Sequence, residues 1–200
     1  MSGRDSGRVL GGLLRAGFGG TKGVWAMGGW GSIDEALRNH QVYDVLVPGW
    51  IDREGDVPEF RPQPLAVWLR LDSGLLRFRS AGQYDHLAVA RVPQVGWDDV
   101  ELLAESEDEV VVASYGEQLF GDGRDTLRCL RLRAYQVAEH LKCLALDFEG
   151  HHTLFFDPTW TFGIRIGNVA DEQRWRELYA GEEAGVETVD VSLGGSGRGD

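Results

Sequence analysis

Two adjacent histidines flanked by carboxylates are the residues in this chain whose types could do chemistry. They lie in "LDFEGHHTLFFDPTW", residues 146–160, where Asp147, Glu149, His151, His152 and Asp157 fall within eleven positions. Imidazoles and carboxylates at that density can ligate a divalent metal or exchange protons with a substrate. A zinc site asks for three or four converging ligands, however, and neighbours on a regular strand point to opposite faces. His151 and His152 can share an ion only if the chain is irregular at this point. The other imidazole nearby in sequence is His140, which with Cys143 makes an isolated HxxC. The pattern predicts a solvated turn between two strands, and it assigns no catalytic residue, metal ligand or cofactor. The competing reading is a metal-dependent hydrolase that uses these five residues.

No further motif adds chemistry. "GDGRD", residues 121–125, lacks the spaced oxygen ligands and distal Glu of a calcium loop. There is no GK[ST] after a glycine-rich loop and no GxSxG. Cys129 and Cys143 stand in apolar, strand-like stretches and read as reduced core thiols. The terminal Arg198-Gly199-Asp200 is a chance product of a Gly-rich tail.

The elements that must position the histidines are mostly strands. "LAVWLRLDSGLLRFRS" alternates apolar residues at 65, 67, 69 and 71, then reverses at Ser73-Gly74. "HLAVARV", "EVVVASYGEQLF", "TLRCLRLRAY" and "TFGIRIG" read as further strands, and "KCLALDFEGHHTLFFD" as a second hairpin. A short helix precedes them, with Ser32 and Glu35 at capping-box spacing and Ile33, Ala36 and Leu37 on one side. Another follows, with Asp171 as N-cap, Trp175, Leu178 and Tyr179 as its apolar stripe and Gly181 as its stop. "VYDVLVPGWID" reads as an extended segment broken at Pro48-Gly49, and "REGDVPEFRPQP" as a surface loop. Asp157-Pro158 ends a strand, after which Trp160 and Phe162 are expected to cover the core.

Sliding the chain against itself by 77 residues places Val67 on Leu144, Leu69 on Leu146, Leu71 on Phe148 and Phe78 on Phe155. Leu87 falls on Ile164 and Val89 on Ile166, a pattern of weak internal duplication that shared β patterning also explains in part. The glycines at the turns, Gly74 and Gly150, are out of register by one. The expected fold is α+β: mostly antiparallel sheet built from β-hairpins, with a short N-terminal helix and a C-terminal helix. Residues 1–31 form a flexible Gly-rich arm, 32–183 a single domain and 184–200 a disordered Gly-rich tail.

Charge then narrows the class of function. The chain carries −12, but residues 1–32 hold Arg4, Arg8, Arg15 and Lys22 against Asp5, so residues 33–200 carry −15. An acidic body opposes a nucleic-acid backbone and favours a basic partner. No apolar run is long enough to span a bilayer, and the expectation is a cytoplasmic protein. The basic residues are 18 Arg and 2 Lys, the usage of a GC-rich bacterial genome. The most acidic stretch, "DDVELLAESEDE", holds Asp98, Asp99, Glu101, Glu105, Glu107, Asp108 and Glu109 with no basic residue. With Trp160 as an aromatic anchor, these are the candidate partner-binding residues. The leading expectation is a non-enzymatic bacterial protein-binding module, immunity- or antitoxin-like, that neutralises a basic protein. Besides the hydrolase, a structural component of a larger assembly is the remaining alternative.

Overall fold

The computed structural model describes residues 29–96, 110–120, 125–179 and 185–194. The acidic residues Asp98, Asp99, Glu101, Glu105, Glu107, Asp108 and Glu109 lie outside the described residues, as do most of "GDGRD" and Gly181. The described chain is mostly antiparallel β-sheet with short helices, the sheet curled into a half-barrel. Among the described residues, no helix is long and apolar enough to cross a membrane.

Chain order runs α1 (Gly29–Asn39), β1 (Val42–Asp52), β2 (Glu59–Pro62), β3 (Ala66–Leu71), β4 (Gly74–Ala81), β5 (His86–Val92) and β6 (Val110–Ser114). It continues with α2 (Gly116–Phe120), β7 (Cys129–Val137), β8 (His140–Phe148), β9 (Thr153–Trp160), β10 (Gly163–Gly167), α3 (Val169–Tyr179) and β11 (Val186–Ser192). In α1 the i, i+3, i+4 spacing of Ile33, Ala36 and Leu37 buries all three. Asp34 and Arg38 pair across one turn at 2.7 Å on the exposed side.

Three expectations need correction. Pro48-Gly49 does not break β1, because the strand changes partner there. Residues 42–46 pair with β3, 49–52 pair with β2, and Pro48 stands opposite Val112 of β6. Pro48 has no N–H to give the ladder, and its carbonyl accepts from Gln63 N–H at 2.8 Å. A Cβ on Gly49 would lie 2.2 Å from the Arg61 carbonyl, so β2 approaches too closely for any other residue. Second, the Pro-rich loop contains β2. Third, residues 186–192, expected in a disordered tail, form β11 and pair with β7 along its length. Val189 and Val191 pack on the core there, an alternation that the short, Glu- and Asp-bearing segment hides in sequence.

Pairing follows one plan twice. A meander β3-β4-β5 is flanked by β1 on β3 and β6 on β1; a meander β8-β9-β10 is flanked by β7 on β8 and β11 on β7. The register of β1 on β3 slips between Val42 and Asp44, and that of β7 on β8 slips at the matching place, between Cys129 and Arg131. Matching Leu69↔Leu76 to Leu146↔Leu154 and Val67↔Phe78 to Leu144↔Phe156 shows one extra residue in the β8–β9 turn. Phe78 therefore corresponds to Phe156, and not to Phe155 as a uniform offset of 77 predicts.

Those two rings stack in the core with centroids 4.5 Å apart and planes within 6°. Around them, Val45, Leu69 and Leu76 of one half and Leu132, Leu146 and Leu154 of the other are buried. Each such side chain contributes about 1.5–3 kcal/mol on leaving water. The halves also meet backbone to backbone. Val42 and Leu127 exchange hydrogen bonds at 2.9 and 2.8 Å, Leu87 pairs with Leu141, and Ile164 N–H donates to the Pro64 carbonyl at 2.6 Å. Gly163 enables the last contact: its φ is +119°, and a Cβ there would be 2.4 Å from that carbonyl oxygen.

Candidate functional site

The β8–β9 turn is not a regular reversal. Gly150 (φ 79°) and His151 (φ 67°) both take left-handed backbone inside a 3₁₀ turn, Glu149–His151. Phe148 N–H donates to the His152 carbonyl at 2.8 Å, and Glu149 N–H to Arg128 at 3.0 Å, which pins the turn at both ends. Two successive left-handed residues cancel the strand alternation. His151 and His152 consequently line one cleft, of about 610 Å³, instead of facing apart. Asp147 and Glu172 line it too. Where the sequence pattern predicts a simple solvated turn, the structure brings Asp147, His151 and His152 to one cleft. Asp157 is not among them: its Oδ1 accepts from Thr159 N–H at 2.9 Å and Thr159 Oγ1 at 2.7 Å, closing a turn at the far end of β9.

What converges is centred on an arginine. Arg133 of β7 donates from Nε to Glu172 Oε1 at 2.6 Å and from Nη2 to Glu172 Oε2 at 2.8 Å. It also grips Asp147, from Nη2 to Oδ1 at 2.8 Å and from Nη1 to Oδ2. Tyr135 donates to Glu172 Oε1 at 2.5 Å, and Thr153 Oγ1 to Asp147 Oδ1 at 2.9 Å. The Arg133 and Glu172 side chains are only 11% and 5% exposed, so Glu172 is compensated in place and not by water, while Asp147 is half-buried.

The electrostatics follow from this geometry. The bonds to Glu172, then to Asp147, raise the Arg133 guanidinium further above its usual range. Burial pushes the Asp147 carboxyl up, but the bonds from Arg133 and Thr153 together outweigh it and hold the carboxyl below the usual range. Burial, reinforced by the bond to Glu172, pushes the Tyr135 phenol up. Each carboxylate accepts three hydrogen bonds within the cluster, which commits most of its lone pairs. Among the described residues, no group of three or more His, Cys, Asp or Glu side chains is placed to hold a metal. Cys129 and Cys143 are buried free thiols, and burial raises Cys129 to about 12, far from a reactive thiolate.

Arg133, Glu172 and Arg176 escaped the sequence reading. Arg131 and Arg133 alternate with Leu132 and Ala134 in "RCLRLRAY", which marks them as the face away from the core. Nothing local, though, announces that a helix 39 residues later supplies Glu172 to meet Arg133. A second constellation was missed as well. His40 Nδ1 lies 2.5 Å from Asp72 Oδ1, and Ser73 Oγ lies 3.1 and 3.0 Å from the two His40 ring nitrogens. The residue types are those of a hydrolytic triad, but an oxygen equidistant from both nitrogens is aligned with neither in-plane lone pair. Arg91 Nη2 donates to Ser73 Oγ at 2.6 Å and holds it there.

Trp160 and Phe162 do not cover the core. They are 42% and 60% exposed and pack edge to face, 5.2 Å apart, at the β9–β10 turn. Next to them, Gly163 approaches the Pro64 backbone closely. Compared with protein-family models, with curated proteins and with solved structures, the chain gives no match.

Proposed function

We propose that this chain is a non-enzymatic protein-binding module that receives a basic protein, in the manner of bacterial immunity or antitoxin proteins. The exposed Trp160–Phe162 pair on a chain of net charge −12 carries this reading. Large rigid rings left in water are favoured anchors at interfaces, and they take Lys or Arg side chains on their faces. The carboxylates of residues 98–109 supply a field that speeds association with a cationic surface and opposes nucleic acid. The matched registers and matched slips of the two halves support reading them as diverged copies of one unit built from hairpins.

The test is retention of a basic protein from the native lysate, with an adjacent toxin-like reading frame as the first candidate. Salt-sensitive capture that the double variant Trp160→Ala, Phe162→Ala loses supports the proposal. No basic protein held at low salt, or capture indifferent to both substitutions, removes it. The cleft shared by Asp147, His151 and His152 favours the hydrolase as a second reading. Arg133 and Thr153 already occupy Asp147, which weighs against a metal version. Stoichiometric zinc, manganese or iron in untagged protein would restore it.

A further inference from the structure

We propose that the N-terminal segment of this chain, residues 1–28, docks on the Trp160–Phe162 pair of its own body and occupies that surface until a more basic partner displaces it. The inference rests on the reading of these two rings as the partner's anchor, and concerns how access to that anchor is regulated. Chemical likeness is the first support. Residues 1–28 carry Arg4, Arg8, Arg15 and Lys22 against Asp5, a balance of +3, while residues 33–200 carry −15. Val9, Leu10, Leu13, Leu14 and Phe18 stand among those arginines. Exposed aromatic rings receive both kinds of side chain, apolar groups by area and cations on their faces. The segment thus offers the body the same chemistry that a basic partner would bring.

The seat is the second support. Among the described residues, Trp160 and Phe162 are the only exposed aromatic rings in contact with one another. Beside their turn Asp157 stands opposite Arg165, which Asp171 already holds at 2.6 Å. Lys142 of the neighbouring strand is likewise committed, to Asp85 at 2.6 Å. These three carboxylates outnumber the two cations, so the local sign agrees with that of the whole body. Reach is the third support. The segment joins the body at Gly29, where α1 begins. A tether of this length spans about 30 Å and keeps its own cations at about millimolar effective concentration, ahead of any dilute partner.

Paramagnetic relaxation in the full chain tests this without any partner. A nitroxide on Gly12→Cys labels the segment alone, because Cys129 and Cys143 are buried. At low salt the indole N–H signal of Trp160, identified by its absence in Trp160→Phe, should lose most of its intensity, while that of buried Trp68 keeps it. High salt should restore the Trp160 signal, and so should Arg4→Gln, Arg8→Gln, Arg15→Gln and Lys22→Gln together. Polyarginine added to the labelled parent should restore it too, by displacing the segment. A sharp Trp160 signal at low salt, broadening that survives both salt and neutralisation, or broadening that arises only from a label on a second copy of the chain would each overturn the proposal. Broadening that polyarginine leaves in place would overturn it as well. Capture of a basic protein through Trp160 without any such broadening would sink this inference and leave the binding reading standing, whereas broadening without capture would do the reverse.

Discussion

The two halves of the molecule share a pairing plan but cover its outer face differently. The first carries an apolar cluster, the second an ion cluster set beside the apolar side chains of Tyr135, Cys143, Ala145, Phe155 and Trp175. In the first half Leu46 of β1 stands opposite Trp68 of β3, and Trp68 packs with Ala66 and Leu75 in an apolar cluster. At the corresponding registers of the second half, Arg133 stands opposite Ala145, and Thr153 takes the place of Leu75. Where the first half buries an indole, the second has only a methyl group, and the space receives a guanidinium. Asp147 stands where the first half has Arg70, beside that guanidinium. Backbone register is thus indifferent to whether a face is greasy or ionic. Across one strand pair, the small Ala145 stands opposite Arg133 where the large Trp68 stands opposite Leu46, and the cleft lies on the ionic side.

Substitutions can break this contrast, starting with the largest effect. Arg133→Met should lose about 3–5 kcal/mol in urea unfolding, because Glu172 stays buried and Asp147 half-buried without their cation. Leu46→Ala, at the equivalent place, should lose about 2 kcal/mol, the ordinary cost of removing aliphatic contacts. Equal losses at the two positions would mean that the ionic and apolar faces do the same work. Phe78→Leu and Phe156→Leu should cost about 1–2 kcal/mol each and about the same as one another, since they share one stack. Their double variant should lose less than the sum of the two, because the second substitution removes a stack already broken.

Acid sharpens the comparison further. The Asp147 carboxyl is depressed on folding, so its contribution is complete above the unfolded carboxylate range, near pH 4, and is lost as pH falls through the lower folded value. Stability measured from about pH 5 downward should therefore decline more steeply in the parent than in Asp147→Asn. The smallest effect is expected at Arg131→Gln. Its pair with Asp190 bridges β7 and β11 with both side chains more than 40% exposed, which limits the loss to about 1 kcal/mol or less. At the corresponding place across β6 and β1, the Ser114 hydroxyl donates to the Asp44 carboxylate at 2.9 Å, with no cation in the pair.

Much of the scaffold was legible in the residues because it rests on local periodicity. The alternation at 67, 69 and 71 and again at 144, 146 and 148 names the buried face, and Ile33, Ala36 and Leu37 name the helix face. What was illegible depends on partners far away in sequence. Pro48-Gly49 reads as a break until β2 and β6 are seen beside it. The histidine turn reads as an alternating reversal until Gly150 and His151 are seen in left-handed conformations. Trp160 reads as core because large rings usually are, yet it stands 42% exposed at the β9–β10 turn. Glu172, buried on a helix whose other charges face water, had no local signal at all.

The claim on which the rest turns is that Arg133 holds Asp147 and Glu172 together by bridging both carboxylates. Urea unfolding of Arg133→Met beside the triple variant Arg133→Met, Asp147→Asn, Glu172→Gln tests it most directly. The triple variant should recover at least about half of what the single substitution loses, since no buried charge is then left alone. A single variant as stable as the parent, or a triple variant no better than the single, would contradict it.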